Sequence, residues 1–293
     1  MISSLIPRLR FIVPASLGIS VSFYLGSKLL SKVAHNEPPK ALNGKFGNWK
    51  KFKIIMIEQI SPDTRRFTFE LPSNSTLGIQ PMSFVLTNVT GKRGPWNIRP
   101  YTPISSCHEK GKFQIVVKHI PGGKVSGMFF GLKEADSVLF MGPMLKYRWK
   151  PNAFDEVNLL CGGSGITPMF QLIRHIIEDP HDTTKVNLLY ANKTEKDILL
   201  REELEDLRCK YPEKLSIKYF VDKGSDETEI VRGRISKDNL SAIETNKNTM
   251  FFLCGPDSFI DTYAGPKGIF GTQFKVGGIL GDLGYTSKEV FRL

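Results

Sequence analysis

Four short motifs in the sequence combine residue types that bind phosphates or aromatic rings. The first, at residues 99–106, reads RPYTPISS. On an extended strand Arg99 and Tyr101 lie on the same face, because they are two residues apart. The guanidinium can hold phosphate oxygens, the phenol ring can lie flat on an aromatic ring, and Thr102 adds a hydroxyl and a backbone N–H that point elsewhere. An edge strand with prolines is the alternative interpretation.

The second motif, PGGKVS at residues 121–126, is a glycine-rich turn before a predicted helix at residues 127–132. Glycines allow a tight turn whose successive N–H groups point at one anion. The motif therefore suggests phosphate binding, and an ordinary glycine turn is the alternative.

The third motif, CGGSGITP at residues 161–168, directly follows an apolar segment and opens a helical pattern. A dinucleotide-binding loop needs this strand–loop–helix context, because the helix N-terminus attracts the pyrophosphate. The glycines do not have the usual GxGxxG spacing, so the generic fingerprint is matched only in part.

The fourth motif, FFLCGP at residues 251–256, places Cys254 at the end of a predicted strand. Ligands bind parallel sheets at the carboxyl ends of their strands, which makes Cys254 a candidate site residue. A lone buried cysteine is the alternative.

The composition is that of an ordinary folded protein. The chain has 293 residues, 41% hydrophobic and 24% charged, which excludes disordered, collagen-like and disulfide-rich classes and suits two domains. Its four cysteines include no CxxC pair, so we predict no metal site and a reduced protein with buried thiols.

The formal net charge of +11 suits an acidic protein, anionic lipid or nucleic acid as partner, or a protein that is simply basic. The basic residues are scattered, with no stacking platform, so we predict no nucleic-acid binding.

The motifs lie in two successive segments with different patterns of predicted secondary structure. β-Branched or aromatic segments separated by Pro and Gly predict a sandwich or barrel, with strands at residues 53–59, 66–71, 82–87, 112–118 and 137–141. Strands then alternate with helices, which predicts a helix-covered parallel sheet with strands at residues 157–161, 186–190, 215–221 and 250–254. We expect Thr167 to cap one helix and Thr194, with Asp197, to open another.

Residues 1–40 predict a membrane signal-anchor and a stiff linker. Residues 1–36 contain four Lys and Arg residues and no acid, and the uncharged stretch at 11–27 has the minimum length for crossing a bilayer as a helix. A transit peptide that is removed is the alternative, and the composition favours the mitochondrion as destination.

The order and spacing of the four motifs resemble those of the ferredoxin-reductase-like flavoenzymes. More narrowly, they are similar to the NADH–cytochrome b5 reductases, in their fungal mitochondrial form. The similarity extends from about residue 45 to the C terminus. It implies an N-terminal membrane anchor and linker (1–40), an antiparallel β-barrel FAD-binding domain (41–147) and an α/β parallel-sheet NADH-binding domain (148–293).

The resemblance implies an FAD site in the first of these domains. Arg99 would hold the pyrophosphate, Tyr101 would lie against the isoalloxazine, and Thr102 would hydrogen-bond near flavin N5. Arg99 and Lys118 would also stabilise the anionic reduced flavin. Ile120 stands where the family usually has a tyrosine. The implied FAD-binding residues are Arg99, Pro100, Tyr101, Thr102, Lys118, Ile120, Gly123, Lys124, Val125 and Ser126, the last three through their backbone N–H groups.

The resemblance also implies an NADH site. Asp222 would hydrogen-bond the adenine ribose and repel the extra phosphate of NADPH, a preference that the nearby Lys223, Arg232 and Arg234 would soften. Cys254 would lie close to the nicotinamide C4. The implied NADH-binding residues are Gly162, Gly163, Gly165, Thr167, Asn192, Asp222, Cys254, Gly255 and Pro256. The residues implied to act at the reacting rings are Thr102, Lys118, Thr167 and Cys254.

The implied activity passes a hydride from NADH to FAD and then single electrons to cytochrome b5 or a similar haem protein. The alternatives are a relative that prefers NADPH or an iron–sulfur or quinone acceptor, and a membrane-tethered scaffold without electron transfer. The scaffold is suggested by residues 257–259 (DSF), which replace further family prolines and would loosen the pocket or add negative charge. The chain also ends in Leu293, where the family usually has Phe. The resemblance further implies a location on the mitochondrial outer membrane, with or without a processed intermembrane-space form. We expect a monomer, because nothing in the sequence demands more.

Overall fold

The computed structural model describes residues 37–91, 97–224, 229–243, 248–266, 268 and 275–293. The predicted anchor stretch, at residues 11–27, lies outside them. Among the described residues, no helix has the length and apolar character needed to span a bilayer. The chain divides into two compact units, Met1–Pro39 and Lys40–Leu293, and everything described below from Lys40 onwards belongs to the second.

Six antiparallel strands form the first sheet, in the order β4-β3-β6-β1-β2-β5. The strands are β1 (Lys50–Ser61), β2 (Thr64–Glu70), β3 (Ser83–Asn88), β4 (Ile98–Tyr101), β5 (Lys112–Lys118) and β6 (Ser137–Leu145). Beyond β4, Pro103 forms a bridge with Ile115 of β5, and the Ile104 N–H donates to the Gln114 carbonyl at 2.9 Å. The sheet therefore closes on itself as a barrel.

Phenylalanine rings fill the barrel, because alternate residues of each strand point inwards. Phe52, Phe69, Phe113 and Phe140 come from four different strands and are all buried. Phe69 stacks on Phe113 with ring centroids 5.1 Å apart, and Phe140 meets Phe69 edge-on at 4.8 Å. Helix α1 (Lys124–Phe130) adds Phe129 to this core.

Six parallel strands form the second sheet, in the order β10-β9-β8-β7-β11-β12. The strands are β7 (Glu156–Gly162), β8 (Lys185–Asn192), β9 (Leu215–Val221), β10 (Ile230–Arg232), β11 (Thr249–Cys254) and β12 (Val290–Arg292). The chain runs outwards from β7 in one direction and returns on its other side as β11. Open α/β sheets bind ligands at such a switch point, outside the carboxyl ends of the strands.

Helices cover both faces of the parallel sheet. Ile166 and Leu204 lie in the core under α2 (Ile166–Glu178) and α3 (Arg201–Lys210). The opposite core contains residues of α4 (Lys237–Ser241), α5 (Asp257–Ala264) and α6 (Gly278–Asp282). Every residue of β7 is buried, as expected for a central strand covered on both sides.

The helix starts differ from the sequence predictions. Helix α2 begins at Ile166, after Gly165, so Thr167 lies inside the helix and its hydroxyl donates to the Ser164 carbonyl at 3.2 Å. The predicted capping box of Thr194 and Asp197 exists, but it encloses only the 3-10 turn Glu195–Asp197, and α3 begins at Arg201. The helix predicted at 127–132 begins earlier, as α1.

The prediction of buried thiols holds for Cys161 and is wrong for Cys209. No disulfide joins any of the four cysteines, which all lie among the described residues; Cys107 and Cys254 are half-buried, and Cys209 is exposed. Cys209 lies on α3 one turn beyond Glu205 and Asp206, on the charged side of the helix, so it faces water.

Contacts from α2 and α3 fasten the two sheets to each other. Gln171 accepts the Ser83 N–H at 3.0 Å and donates to the Pro103 carbonyl at 3.1 Å. Arg66 of β2 forms an ion pair with Glu203 of α3. These contacts hold the barrel against the carboxyl edge of the parallel sheet.

Candidate active site

One cleft of about 1240 Å³ lies between the barrel and the carboxyl edge of the parallel sheet. It is larger than the pocket of roughly 300–1,000 Å³ typical for one small molecule, so it has room for more than one ligand. All the predicted site residues line it: Arg99, Pro100, Tyr101, Thr102, Lys118, Ile120, Gly123, Lys124, Val125, Ser126, Gly162, Gly163, Gly165, Thr167, Asn192, Asp222, Cys254, Gly255 and Pro256. Their ligands and roles stay predictions.

Arg99 and Tyr101 occupy β4 as the first motif predicts. In the β3–β4 ladder Arg99 pairs with Thr87 and Tyr101 with Val85, so both point to the same face of the strand. The Tyr101 ring packs edge-on against Phe129, with centroids 5.3 Å apart. Burial raises the pKa of Tyr101 to about 12, despite the opposing effect of Arg99, so the phenol stays neutral in the physiological range.

The second motif forms a tight turn that ends in the first turn of α1. A Cβ on Gly123 would lie 2.9 Å from the Ile120 carbonyl oxygen, so only glycine fits there. The Ser126 hydroxyl accepts the Ile120 N–H at 3.1 Å and donates to the Gly123 carbonyl at 3.2 Å. The N–H groups of Lys124, Val125 and Ser126, at the start of α1, have no acceptor within the helix and are suited to an anion.

The third and fourth motifs meet at the switch point between β7 and β11. The backbones approach so closely that a Cβ on Gly165 would overlap the Cys254 carbonyl. The buried Tyr190 hydroxyl donates to the Gly163 carbonyl at 3.0 Å and accepts the Leu199 N–H at 3.1 Å. Burial raises the pKa of Tyr190, which keeps this hydroxyl able to donate. The glycine loop is therefore held in one conformation.

Residues 257–259 take up positions that the sequence does not reveal. Phe259 packs on the glycines, because a Cβ on Gly162 or Gly255 would lie 3.1 or 2.9 Å from its ring. Its ring also contacts Tyr263, with centroids 4.7 Å apart. Asp257 is exposed in the first turn of α5 and is not among the residues that line the cleft. Where the family has further prolines, residues 257–259 therefore add the aromatic ring of Phe259 to the wall of the cleft, and Asp257 adds no charge to its lining.

Lys118 lies between two carboxylates from different parts of the chain. Its Nζ is 3.1 Å from Asp63 Oδ2 and 3.4 Å from Asp197 Oδ1. Burial acts to raise the pKa of Asp63, but hydrogen bonds from Thr64 and Lys118 and the charge of Lys118 outweigh it, so the pKa is lowered. The ammonium of Lys118 therefore lines the cleft in a position fixed by two ion pairs, and the Asp197 carboxylate lines the cleft beside it.

Asn192 carries an unusual polar group at the end of β8. Its side chain is buried, its amide N–H group lies close enough to the Tyr190 hydroxyl to act on the pKa of that phenol, and its amide oxygen has no hydrogen-bond partner among the described residues. Buried amides in folded proteins nearly always have partners, so this oxygen is a candidate for ligand contacts. The Asn192 carbonyl accepts the N–H of Asp222, which directly follows β9.

Some lining residues carry no local sequence signal. Phe84 and Lys146 face the cleft from β3 and from the chain beyond β6, and the Lys146 Nζ lies 5.6 Å from the Phe84 ring centroid. They become neighbours because β3 pairs with β6, which brings Phe84 opposite Met144. Only strand pairing, which was not predicted, would have identified them.

The described residues contain no group of three or more His, Cys, Asp or Glu side chains able to hold a metal ion.

Both domains that form the cleft match models of known protein families. The family model for the oxidoreductase FAD-binding domain matches residues 51–149, and that for the oxidoreductase NAD-binding domain matches residues 159–264. The chain is 42% identical over 285 residues to NADH-cytochrome b5 reductase 2 of Kluyveromyces lactis, covering 96% of each chain. It is 41% identical over 281 residues to NADH-cytochrome b5 reductase 2-B of Vanderwaltozyma polyspora, covering 94% of this chain and 92% of that one.

A solved structure has the same architecture. The cytochrome b5 reductase domain of Ulva prolifera nitrate reductase superposes with a TM-score of 0.73 and 28% sequence identity. The match covers 87% of this chain and all of that domain.

Proposed function

Because the chain belongs to the NADH-cytochrome b5 reductase family, we propose that the cleft binds FAD and NADH and that the enzyme delivers electrons to cytochrome b5. The observation that carries this function is the meeting of the FAD-domain and NAD-domain motifs in one cleft. The names of the relatives that match nearly the whole chain support the donor and the acceptor.

The barrel side of the cleft fits FAD. The Gly123 turn leaves no room for a Cβ and presents the N–H groups of Lys124, Val125 and Ser126, as a pyrophosphate requires. Arg99 adds a guanidinium to these donors, and Tyr101 offers a neutral ring held by Phe129. We assign Pro100, Thr102 and Ile120 to the same cofactor.

The parallel-sheet side fits NADH. The loop of Gly162, Gly163 and Gly165 opens α2 at the switch point, where a dinucleotide meets a helix N-terminus. The unpartnered amide oxygen of Asn192 and the carboxylate of Asp222 suit the polar atoms of a nucleotide. Thr167, Cys254, Gly255 and Pro256 complete this set.

Bound FAD would supply the chemistry of accepting one hydride, and with it two electrons, from NADH and of releasing these electrons one at a time. The protein supplies position and electrostatics. Lys118 provides a positive charge fixed by two ion pairs, which favours a more negative state of a neighbouring ring. Thr102, Thr167 and Cys254 line the cleft between the two cofactor sets, and we assign them to the contact between the reacting rings.

Basic side chains at the cleft suit an acidic electron acceptor. Lys124, Lys146 and Lys193 are exposed and line the cleft. Exposed charges of one sign steer a partner of the opposite sign and make its association rate sensitive to salt. We infer that they guide cytochrome b5 towards the flavin, and that a monomer suffices for this.

The proposed location is the mitochondrial outer membrane, with residues 1–40 as anchor and linker. The support is the acid-free basic N-terminus with its uncharged stretch. Extraction of mitochondria with alkaline carbonate is the test. An anchored chain stays in the membrane pellet, and release of the full-length chain would contradict the anchor.

Anaerobic spectroscopy of the full chain tests the proposed function. We expect a flavin spectrum that one equivalent of NADH bleaches, followed by reduction of added ferric cytochrome b5. A flavin that NADH leaves oxidised would favour the scaffold, and a reduced flavin that cannot reduce cytochrome b5 would favour another acceptor.

A further inference from the structure

A carboxylate and a guanidinium lie together at one end of the cleft. Arg234 Nε is 3.8 Å from Asp222 Oδ1, and both residues line the cleft. In dinucleotide-binding sheets an acid at the end of this strand binds the ribose 2′-hydroxyl of NAD, whereas a nearby arginine accommodates the 2′-phosphate of NADP. This chain has both groups in contact.

We propose that Arg234 forms a binding subsite for the 2′-phosphate of NADPH, so that the enzyme accepts NADPH as well as NADH. The inference rests on the proposed function, because it requires a nicotinamide dinucleotide with its adenosine beside Asp222. It concerns the choice of electron donor and leaves the acceptor unchanged.

The geometry of Arg234 suits a phosphate. Its side chain is 79% exposed and its ion pair with Asp222 is open to water, so the guanidinium can turn towards an incoming anion at small cost. A guanidinium binds phosphate oxygens through two parallel hydrogen bonds. A phosphate carries more negative charge than a water-exposed carboxylate, so it attracts the guanidinium more strongly. The same guanidinium offsets the charge by which Asp222 would repel the phosphate.

The backbone conformation places Arg234 beside Asp222. The preceding Gly233 has a φ of +118°, a conformation that favours glycine, and its N–H donates to the Val221 carbonyl at 2.8 Å. Asp222 follows Val221 directly. The hydrogen bond therefore places the two charged residues side by side at the ends of β9 and β10.

The structure distinguishes Arg234 from the other two basic residues nearby. Arg232 pairs in register with Val221 and is exposed, but it is not among the residues lining the cleft. Lys223 is likewise outside the lining. Arg232 is therefore a matched control, since its removal deletes the same charge two residues away without touching the proposed subsite.

Asn192 provides an independent sign that this end of the cleft takes a polar ligand. Its buried amide oxygen lacks a partner among the described residues, and its backbone carbonyl accepts the N–H of Asp222. A nucleotide with hydroxyl groups here would supply the missing donor.

Calorimetric titration of the FAD-loaded full chain tests the subsite with two fragments, 5′-AMP and 2′,5′-ADP. We compare the ratio of their dissociation constants in wild type, Arg234→Ala and Arg232→Ala. Because hydrogen bonds to a charged group are lost, we expect Arg234→Ala to weaken 2′,5′-ADP relative to 5′-AMP by about tenfold or more. Arg232→Ala should leave the ratio within about twofold of wild type.

A second measurement follows anaerobic flavin reduction by NADPH and by NADH. Wild type should be reduced by both, Arg234→Ala should lose about tenfold in its NADPH-to-NADH rate ratio, and Arg234→Lys should be intermediate because an ammonium cannot form the fork. An unchanged ratio in Arg234→Ala, or an equal loss in Arg232→Ala, would overturn the subsite. Reduction of wild type by NADH alone would also overturn it while leaving the proposed function intact, whereas reduction by neither nucleotide would contradict the proposed function itself.

Discussion

Lys118 Nζ lies 3.4 Å from Asp197 Oδ1, which joins the end of a barrel strand to the turn beyond β8. The same ammonium is 3.1 Å from Asp63 Oδ2. With 20% of its side chain exposed, Lys118 is partly shielded from solvent, so these ion pairs are screened less than pairs at an open surface. One lysine therefore connects the two sheets and lines the cleft between them.

Replacing Lys118 by Met should slow flavin reduction by NADH by about tenfold, because the cleft loses the cation that favours the reduced ring. Stopped-flow absorbance measures the rate. Lys112→Met is the matched control, since Lys112 lies on the same strand but is exposed and paired only at 3.7 Å with Glu109. Equal rates in Lys118→Met and wild type would show that Lys118 has no part in flavin reduction.

Gly165 should not tolerate a larger residue. The Cβ of Gly165→Ala would overlap the Cys254 backbone, which cannot move without separating β7 from β11. We expect a loss of about 1–3 kcal/mol in the free energy of unfolding, measured with urea, together with weaker NADH binding. Gly127→Ala is the control, because its Cβ meets nothing within 4 Å and the residue lies in α1. If Gly165→Ala were as stable as wild type, β7 and β11 would have to move apart at little cost, which would contradict the prediction.

The sequence was sufficient to predict the alternation of strands and helices and the cleft motifs, because both depend on local spacing. Arg99 and Tyr101 share a face since they lie two residues apart, and Gly163–Gly165 directly follow β7 as their context required. The predicted helix exists as α3, but its predicted start at Thr194 is wrong, because a capping box also closes a single 3-10 turn and the left-handed Leu200 intervenes before α3.

The remaining features of the site depend on long-range pairing. Asp63, 55 residues before Lys118 in the chain, meets it only because β2 pairs with β5, bringing Thr64 opposite Lys118. Phe259 packs on Gly162 through the pairing of β7 with β11. No local pattern in one sequence reports either contact.

Tyr101 should hold the flavin through its ring and not through its hydroxyl. Tyr101→Phe should retain FAD, whereas Tyr101→Ala loses the ring and should weaken FAD binding by about tenfold or more. The pKa of Tyr101 is raised to about 12, so the phenol stays protonated at pH 7–10. Wild type and Tyr101→Phe should therefore show parallel pH profiles of FAD affinity, measured by flavin fluorescence. A loss of affinity near pH 9 in wild type alone would show an ionising Tyr101.

The last prediction concerns Asp182, whose hydrogen bonds join the segment between the two sheets to the start of β8 in the parallel sheet. Its buried carboxylate accepts the Trp149 indole N–H at 2.8 Å and the Asn152 and Thr184 N–H groups at 3.2 and 3.1 Å. Burial acts to raise the pKa of Asp182, but hydrogen bonds from Thr184, Trp149 and Asn152 outweigh it, so the pKa is lowered from 3.8.

A carboxyl group whose pKa is lower in the folded state stabilises the fold above its unfolded pKa, and the contribution is lost as the pH falls through the folded value. Asp182→Asn should therefore cost about 2 kcal/mol at pH 7, and the gap from wild type should begin to narrow only as the pH falls below 3.8. Calorimetric melting at pH 7, 5 and 3 measures it. Asp179→Asn is the control and should cost less, because the Asp179 carboxylate accepts the His181 N–H at 2.9 Å and no other N–H that the structure describes. A gap that narrows already between pH 7 and 5 would contradict this assignment, because the carboxyl group of Asp182 titrates below that range.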